Sequence, residues 1–117
     1  MTDHSEIVID FQLLLESMDN DPLLMRIACK TFLTTSEKSL KELSETVAKN
    51  DRVSTARIAH SIKSMVSTFG ATDIKECCRE LECRASTADK EWIDSQFTQL
   101  CMLVENMQLV VNHKLEE

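Results

Sequence analysis

Apolar residues recur every three or four positions through most of the chain, and no stretch alternates in twos for long enough to suggest a strand. Five helical segments are expected, at about 10–18, 22–49, 52–69, 73–88 and 90–115. The first carries Phe11, Leu14, Leu15 and Met18 on one side, and Asp19-Asn20-Asp21-Pro22 ends it. Asp21 suits an N-cap and Pro22 a first helical residue, because proline lacks the N–H that would go unpaired there. The second helix has the stripe Met25, Cys29, Phe32, Ser36, Leu40, Leu43 and Val47. At ~1.5 Å per residue, about 28 residues span ~42 Å, a length that suits a bundle. Asn50-Asp51 breaks the pattern, and Asp51 is expected to cap a third helix with Ile58, Ile62, Met65 and Phe69 facing inward beside Ala59 and Val66. Gly70 stops that helix, since glycine takes the left-handed conformation without a Cβ penalty. Thr72 is expected to cap the fourth, which turns Ile74, Cys77, Cys78, Leu81, Ala85 and Ala88 inward. Asp89 caps the fifth, with Ile93, Phe97, Leu100, Val104, Met107, Val111 and Leu115 in register.

Short connections make neighbouring helices antiparallel. The fold expected is therefore all-α: an antiparallel up-down four-helix bundle with a short additional N-terminal helix. At 117 residues it forms one domain, 1–117, with residues up to about 8 flexible. A single Gly and a single Pro exclude a β-sandwich or barrel, which needs turn residues far more often. The net charge of −7 repels phosphate backbones and anionic lipid, so no nucleic acid and no membrane are expected as partners. The longest apolar run, Leu100 to Val104, is far short of a membrane span. The N-terminus lacks a basic segment followed by an apolar one, so it does not read as a signal peptide, and a cytoplasmic location is expected. Five cysteines, an odd number, fit a reducing compartment. Cys77, Cys78 and Cys83 invite a metal-ligand reading. Helical core spacing at 77, 78 and 81 favours small buried hydrophobes instead, and no metal is expected.

Motifs for ordinary catalysis are missing: no Gly-rich phosphate loop, no H-E-x-x-H, no G-x-S-x-G. His4 lies at the terminus and His113 near the end of the last helix, where a cation suits the helix dipole. His60 differs. It sits mid-helix, off the apolar stripe, and shares its face with Arg57, Lys63, Ser64 and Ser67. Small neighbours leave the ring reachable by a large partner, and two cations would stabilise an added anionic group such as a phosphoryl. Taken alone, a solvated surface histidine explains these features more simply.

The wider string changes that balance. Ala59-His60-Ser61-Ile62-Lys63-Ser64, then Phe69-Gly70-Ala71, then Cys78-Arg79-Glu80-Leu81-Glu82 resembles the histidine-containing phosphotransfer (HPt) domain family. Phe32-Leu33 through Leu40 and Leu43, followed by Asn50-Asp51, is similar to that family's long second helix and the turn after it. The resemblance covers nearly the whole chain. It implies that His60 accepts a phosphoryl group from the aspartyl-phosphate of one receiver domain and passes it to the Asp of another. The partners implied are the receiver domains of a hybrid sensor kinase and of a response regulator. Lys63 would neutralise phosphoryl oxygens, and Glu82 would hold the other imidazole nitrogen, leaving Nε2 free. Arg57, Ser64 and Ser67 would face the partner, and Gly70 would end the helix. The chain would need no cofactor of its own, since Mg²⁺ would sit on the partner receiver. It would be a carrier rather than a kinase, and the resemblance together with the acidic surface implies a monomer. Two departures stand out: Ser64 replaces the family's usual Gly after the Lys, and Ile62 replaces the commoner Leu.

Two other readings fit the same residues. One is an interaction module with this bundle that binds or sequesters a receiver without His60 being phosphorylated. The other is a metal or redox sensor built on Cys77, Cys78, Cys83 and His60.

Overall fold

In a computed structural model of the protein, residues 8–117 are described. His4 and nearly all of the stretch expected to be flexible lie outside them. Five helices follow in order: α1 Phe11–Ser17, α2 Pro22–Ala48, α3 Arg52–Ser67, α4 Thr72–Arg84 and α5 Lys90–Leu115. No strand occurs among the described residues.

Aspartates start four of the five. Asp10, Asp21, Asp51 and Asp89 each accept a hydrogen bond from a backbone N–H in the first turn, at 2.9–3.1 Å. This satisfies donors that have no partner within the helix. The exception is α4. Its N-cap is Ala71, which makes no side-chain cap, and Thr72 is the first helical residue rather than the cap. Ala71 is buried at that position, so a polar cap would lack solvent, and Asp73 in the first turn supplies the favourable negative charge instead.

Side-chain contacts fix the topology as an antiparallel ring of α2, α3, α4 and α5. Thr55 Oγ1 donates to Thr46 Oγ1 across α2 and α3 at 3.0 Å. Lys90, opening α5, reaches the Val47 carbonyl near the end of α2 at 2.9 Å. Arg26, opening α2, reaches the Leu115 carbonyl at the end of α5 at 3.1 Å. Gln96 of α5 donates to the Cys77 carbonyl of α4 at 3.2 Å. Helix α1 packs on α2 outside this ring.

The core follows the expected stripes. Phe32, Leu43, Ile62, Val66, Ile74, Leu81, Leu100, Val104, Met107 and Val111 are essentially sealed from solvent, as are Cys29 and Cys78. Phe32 and Phe69 pack with ring centroids 5.3 Å apart. Ser36 is buried on its stripe because its hydroxyl bonds the Leu33 carbonyl and receives Gln108 of α5 at 2.9 Å. Met25, Leu40, Met65, Phe97 and Leu115 are only partly covered.

Helix α4 ends four residues earlier than its apolar spacing suggests. Ala85 and Ala88 are buried as expected, but the chain has left the helix by then. Arg52 of α3 gathers the Ala85 carbonyl at 3.0 Å, and the Ala88 carbonyl too. Carbonyls at the helix end thus find a partner on another helix, while in the turn to Asp89 the Thr87 and Ala88 N–H groups both donate to the Arg84 carbonyl, at 3.1 and 2.8 Å.

Candidate functional site

Helix α3 carries His60 at mid-length with its ring 58% exposed. One turn later on the same helix, Lys63 leans toward α4 and is 24% exposed. Glu82, near the end of α4, is 27% exposed and lies between them. Its Oε2 is 2.7 Å from His60 Nδ1 and its Oε1 is 2.7 Å from Lys63 Nζ. An ionised carboxylate can only accept, so Nδ1 carries the proton and the lone pair lies on Nε2. Lys63, and then the His60 N–H, hold the Glu82 carboxyl below its ordinary value of 4.5, so it is ionised near neutral pH.

These three residues come together because of how α3 and α4 pack. Residues Ala59, Ile62 and Val66 of α3 and Cys78 and Leu81 of α4 are buried. With those positions facing in, 60 and 63 on one helix and 82 on the other fall at the rim of the α3/α4 seam. Buried leucine and thiol below, and open solvent above, leave a charged rim that a partner surface can reach.

The other expected residues divide. Arg57 and Ser64 are exposed on α3. Ser67 is half-buried, and its hydroxyl donates to the Lys63 carbonyl at 2.8 Å, so toward a partner it can only accept. Gly70 is not at the rim. It has φ +68° and lies against α1: the Asp10 N–H bonds the neighbouring Phe69 carbonyl at 2.9 Å, and a Cβ at Gly70 would stand 3.1 Å from Asp10 Cβ. It therefore both stops α3 and lets α1 close over the end of the bundle.

The cysteines do not converge. Cys77 and Cys78 are buried while Cys83 is exposed on another face of the same helix. Burial pushes Cys78 up to about 12, and Cys77 and Cys101 up to about 11. Thiols held protonated in this way are poor ligands and poor nucleophiles. Among the described residues no group of three or more His, Cys, Asp or Glu side chains is arranged to hold a metal ion.

One feature escaped the sequence reading. Val8, Leu13, Leu23, Leu24 and Ile27 are exposed, so most of the large exposed apolar residues lie in the first part of the chain. The signal was present: Leu23, Leu24 and Ile27 fall off the Met25–Cys29–Phe32 stripe at the start of α2. Elsewhere, none of the helices among the described residues is long and apolar enough to cross a membrane.

The model of the family described as "Hpt domain" matches residues 28–112. The chain belongs to the Hpt domain family. It is thus a member of the histidine phosphotransfer proteins of two-component phosphorelays. Its fold is similar to the crystal structure of histidine-containing phosphotransfer protein B from Pseudomonas aeruginosa PAO1. The TM-score is 0.84 at 20% identity, over 92% of this chain and 94% of that one. At that identity the likeness speaks for the Hpt fold alone. No curated protein matches the chain in sequence.

Proposed function

We propose that this Hpt chain is a phosphorelay intermediate that carries a phosphoryl group on His60 between two receiver domains. The observation that carries this reading is the carboxylate behind the ring: Glu82 Oε2 lies 2.7 Å from Nδ1, which leaves the exposed Nε2 as the nucleophile.

In the proposed step, the Nε2 lone pair attacks the phosphorus of a receiver's aspartyl-phosphate. An N–P bond forms, the P–O bond to the aspartate breaks, and the aspartate leaves as a carboxylate. The Nδ1 proton stays where it is. The ring acquires imidazolium character, and Glu82 stabilises that charge. Lys63 offsets the negative charge of Glu82, which would otherwise repel the incoming phosphoryl. Transfer onward reverses these bonds with a second receiver's Asp. Any Mg²⁺ that offsets phosphoryl charge in such transfers would be held by the receiver, outside this chain.

The partner surface would centre on His60 with Arg57, Ser64 and Ser67, and the exposed apolar residues Leu13, Leu24 and Ile27 of the first two helices would extend it if the partner reaches them. Ser64 is small enough for a close approach but bulkier than glycine, which narrows the choice of receiver. A cytoplasmic location and a monomeric state belong to the same reading.

Phosphotransfer from a panel of phosphorylated receiver domains tests it, with His60→Gln as control. The expected result is an acid-labile, base-stable phosphoryl on the wild-type chain and none on the variant. If active donors bind the chain yet transfer nothing, it is instead a docking module that sequesters a receiver.

A further inference from the structure

The α2/α5 seam lies opposite the α3/α4 seam that carries His60, because α2 packs on α3 and α5 while α4 packs on the same two. An open groove of about 600 Å³ runs along that opposite seam. Leu33 and Leu40 of α2 and Leu109 of α5 line it, with Glu37 between the two leucines of α2 and Glu105 one turn before Leu109. Leu109 is 69% exposed, and Met102, two turns before it on the same face, is 45% exposed. The polar group at the floor is already satisfied: Gln108 donates to Ser36 across the two helices at 2.9 Å.

Both helices present the same order of side chains here, apolar, acidic, apolar: Leu33, Glu37 and Leu40 on α2, and Met102, Glu105 and Leu109 on α5. Among the described residues neither carboxylate is taken up in an ion pair. Lys30 and Lys41 stand on α2 to either side of Glu37, outside the lining. The groove itself therefore carries two negative charges and no positive one. A partner that covers the leucines must bring cations to the glutamates, which excludes nucleic acid and anionic lipid. A second copy of the chain is disfavoured as well, since a two-fold contact would lay the groove against itself with glutamates facing glutamates. A channel between two antiparallel helices is the shape that the apolar side of a third helix fills.

We propose that the α2/α5 groove is a docking site for a basic amphipathic helix of a partner protein. Its apolar side covers Leu33, Leu40 and Leu109, and its Lys or Arg side chains pair with Glu37 and Glu105. This surface is separate from the exposed leucines at the start of α2. Leu33 follows Leu24 by about two and a half turns, and so leaves the helix on the opposite side. The partner helix docks while the His60 rim stays open, and docking does not depend on His60 carrying a phosphoryl group.

The probe is a synthetic peptide helix of about four turns, with Leu along one side and Lys along the other. Titrated against the full chain at physiological salt and followed by fluorescence anisotropy, it is expected to bind. Removing both groove charges, Glu37→Gln with Glu105→Gln, should weaken binding by about tenfold, and Leu109→Gln should weaken it too. All three residues are exposed, so these variants keep the fold. An equal loss of charge on α4, Glu76→Gln with Glu80→Gln, should leave the affinity within about twofold, because those charges lie beyond a screening length from the bound peptide.

No binding of the peptide overturns the proposal. Equal weakening by the two charge pairs overturns it as well, since the peptide would then be drawn to an acidic chain rather than to this groove. Backbone amide shifts of the labelled chain locate the bound peptide. Shifts along α2 and α5 with the His60 rim unmoved are expected, and shifts centred on His60 contradict the docking site. A dimer seen in sedimentation that Leu109→Gln dissociates also contradicts it, because a second copy would then fill the groove.

Discussion

Helix α4 serves two faces of the bundle, and they make opposite use of reactive residues. Toward the core it presents Cys77 and Cys78, sealed from solvent. Cys77 is hemmed in by Gln96 of α5, whose amide bonds its carbonyl at 3.2 Å. At the rim of α3 it presents one carboxylate, Glu82, shared between an exposed imidazole and an ammonium. The buried thiols are denser in the sequence and nominally more nucleophilic. Burial removes their charge and their access, whereas the rim keeps both. Reactivity here is set by which face a residue occupies and by what stands behind it.

The sharpest way to break this comparison is thiol chemistry. With its pKa raised from 9.0 to about 12, Cys78 holds roughly a thousandfold less thiolate than an unperturbed thiol. An alkylating reagent on the folded protein should therefore label Cys83 first and leave Cys77 and Cys78 unmodified until the bundle opens. Peptide mass mapping over time checks this, and early labelling of Cys78 would contradict the packing. Next in size is the core beneath the rim. Leu81→Ala should destabilise the fold by about 2–5 kcal/mol in a denaturant titration. A change within a few tenths would mean that Leu81 is not core and that Glu82, next to it, is not placed as described.

Gly70→Ala should cost about 1–2 kcal/mol, because its positive φ penalises any Cβ and Asp10 crowds the space it would fill. The same measurement applies, and a neutral result would place α1 elsewhere. The smallest effect is at the rim. The pKa of Glu82 is depressed in the folded chain, so its stabilising contribution is fully present above its ordinary value of 4.5 and is lost as pH falls through the lower folded value. The stability difference between wild type and Glu82→Gln should stay level from neutral pH down toward that range and then narrow. A difference that vanished above pH 4.5 would mean that the carboxylate is not held by Lys63 and His60.

How far this was legible in the sequence depends on how local each feature is. The Asp caps of α2, α3 and α5, the stop at Gly70 and the core stripes are written within a few residues, and they read out directly. The end of α4 was not, because Ala85 and Ala88 keep helical spacing and burial while Arg52, from another helix, takes up the carbonyls that end it. Thr72 looked like a cap until the burial of Ala71 set the actual boundary one residue earlier. The candidate site shows the same division. His60 and its α3 neighbours are visible along one helix face. Glu82 stood out through the resemblance to the HPt family, but its simultaneous hold on Lys63, 19 residues away, depends on the packing of α3 against α4. From sequence, Lys63 read as an exposed cation waiting for a phosphoryl; in the structure it is half-buried and already bonded.

The most direct test is to locate the phosphoryl group on the atom. A ³¹P–¹⁵N correlation spectrum of the chain, phosphorylated by a receiver domain and labelled at histidine, reads which ring nitrogen is bonded to phosphorus. With Nδ1 held by Glu82, the coupling should fall on Nε2 of His60. Phosphorus on Nδ1, or on a residue other than His60, would contradict the account.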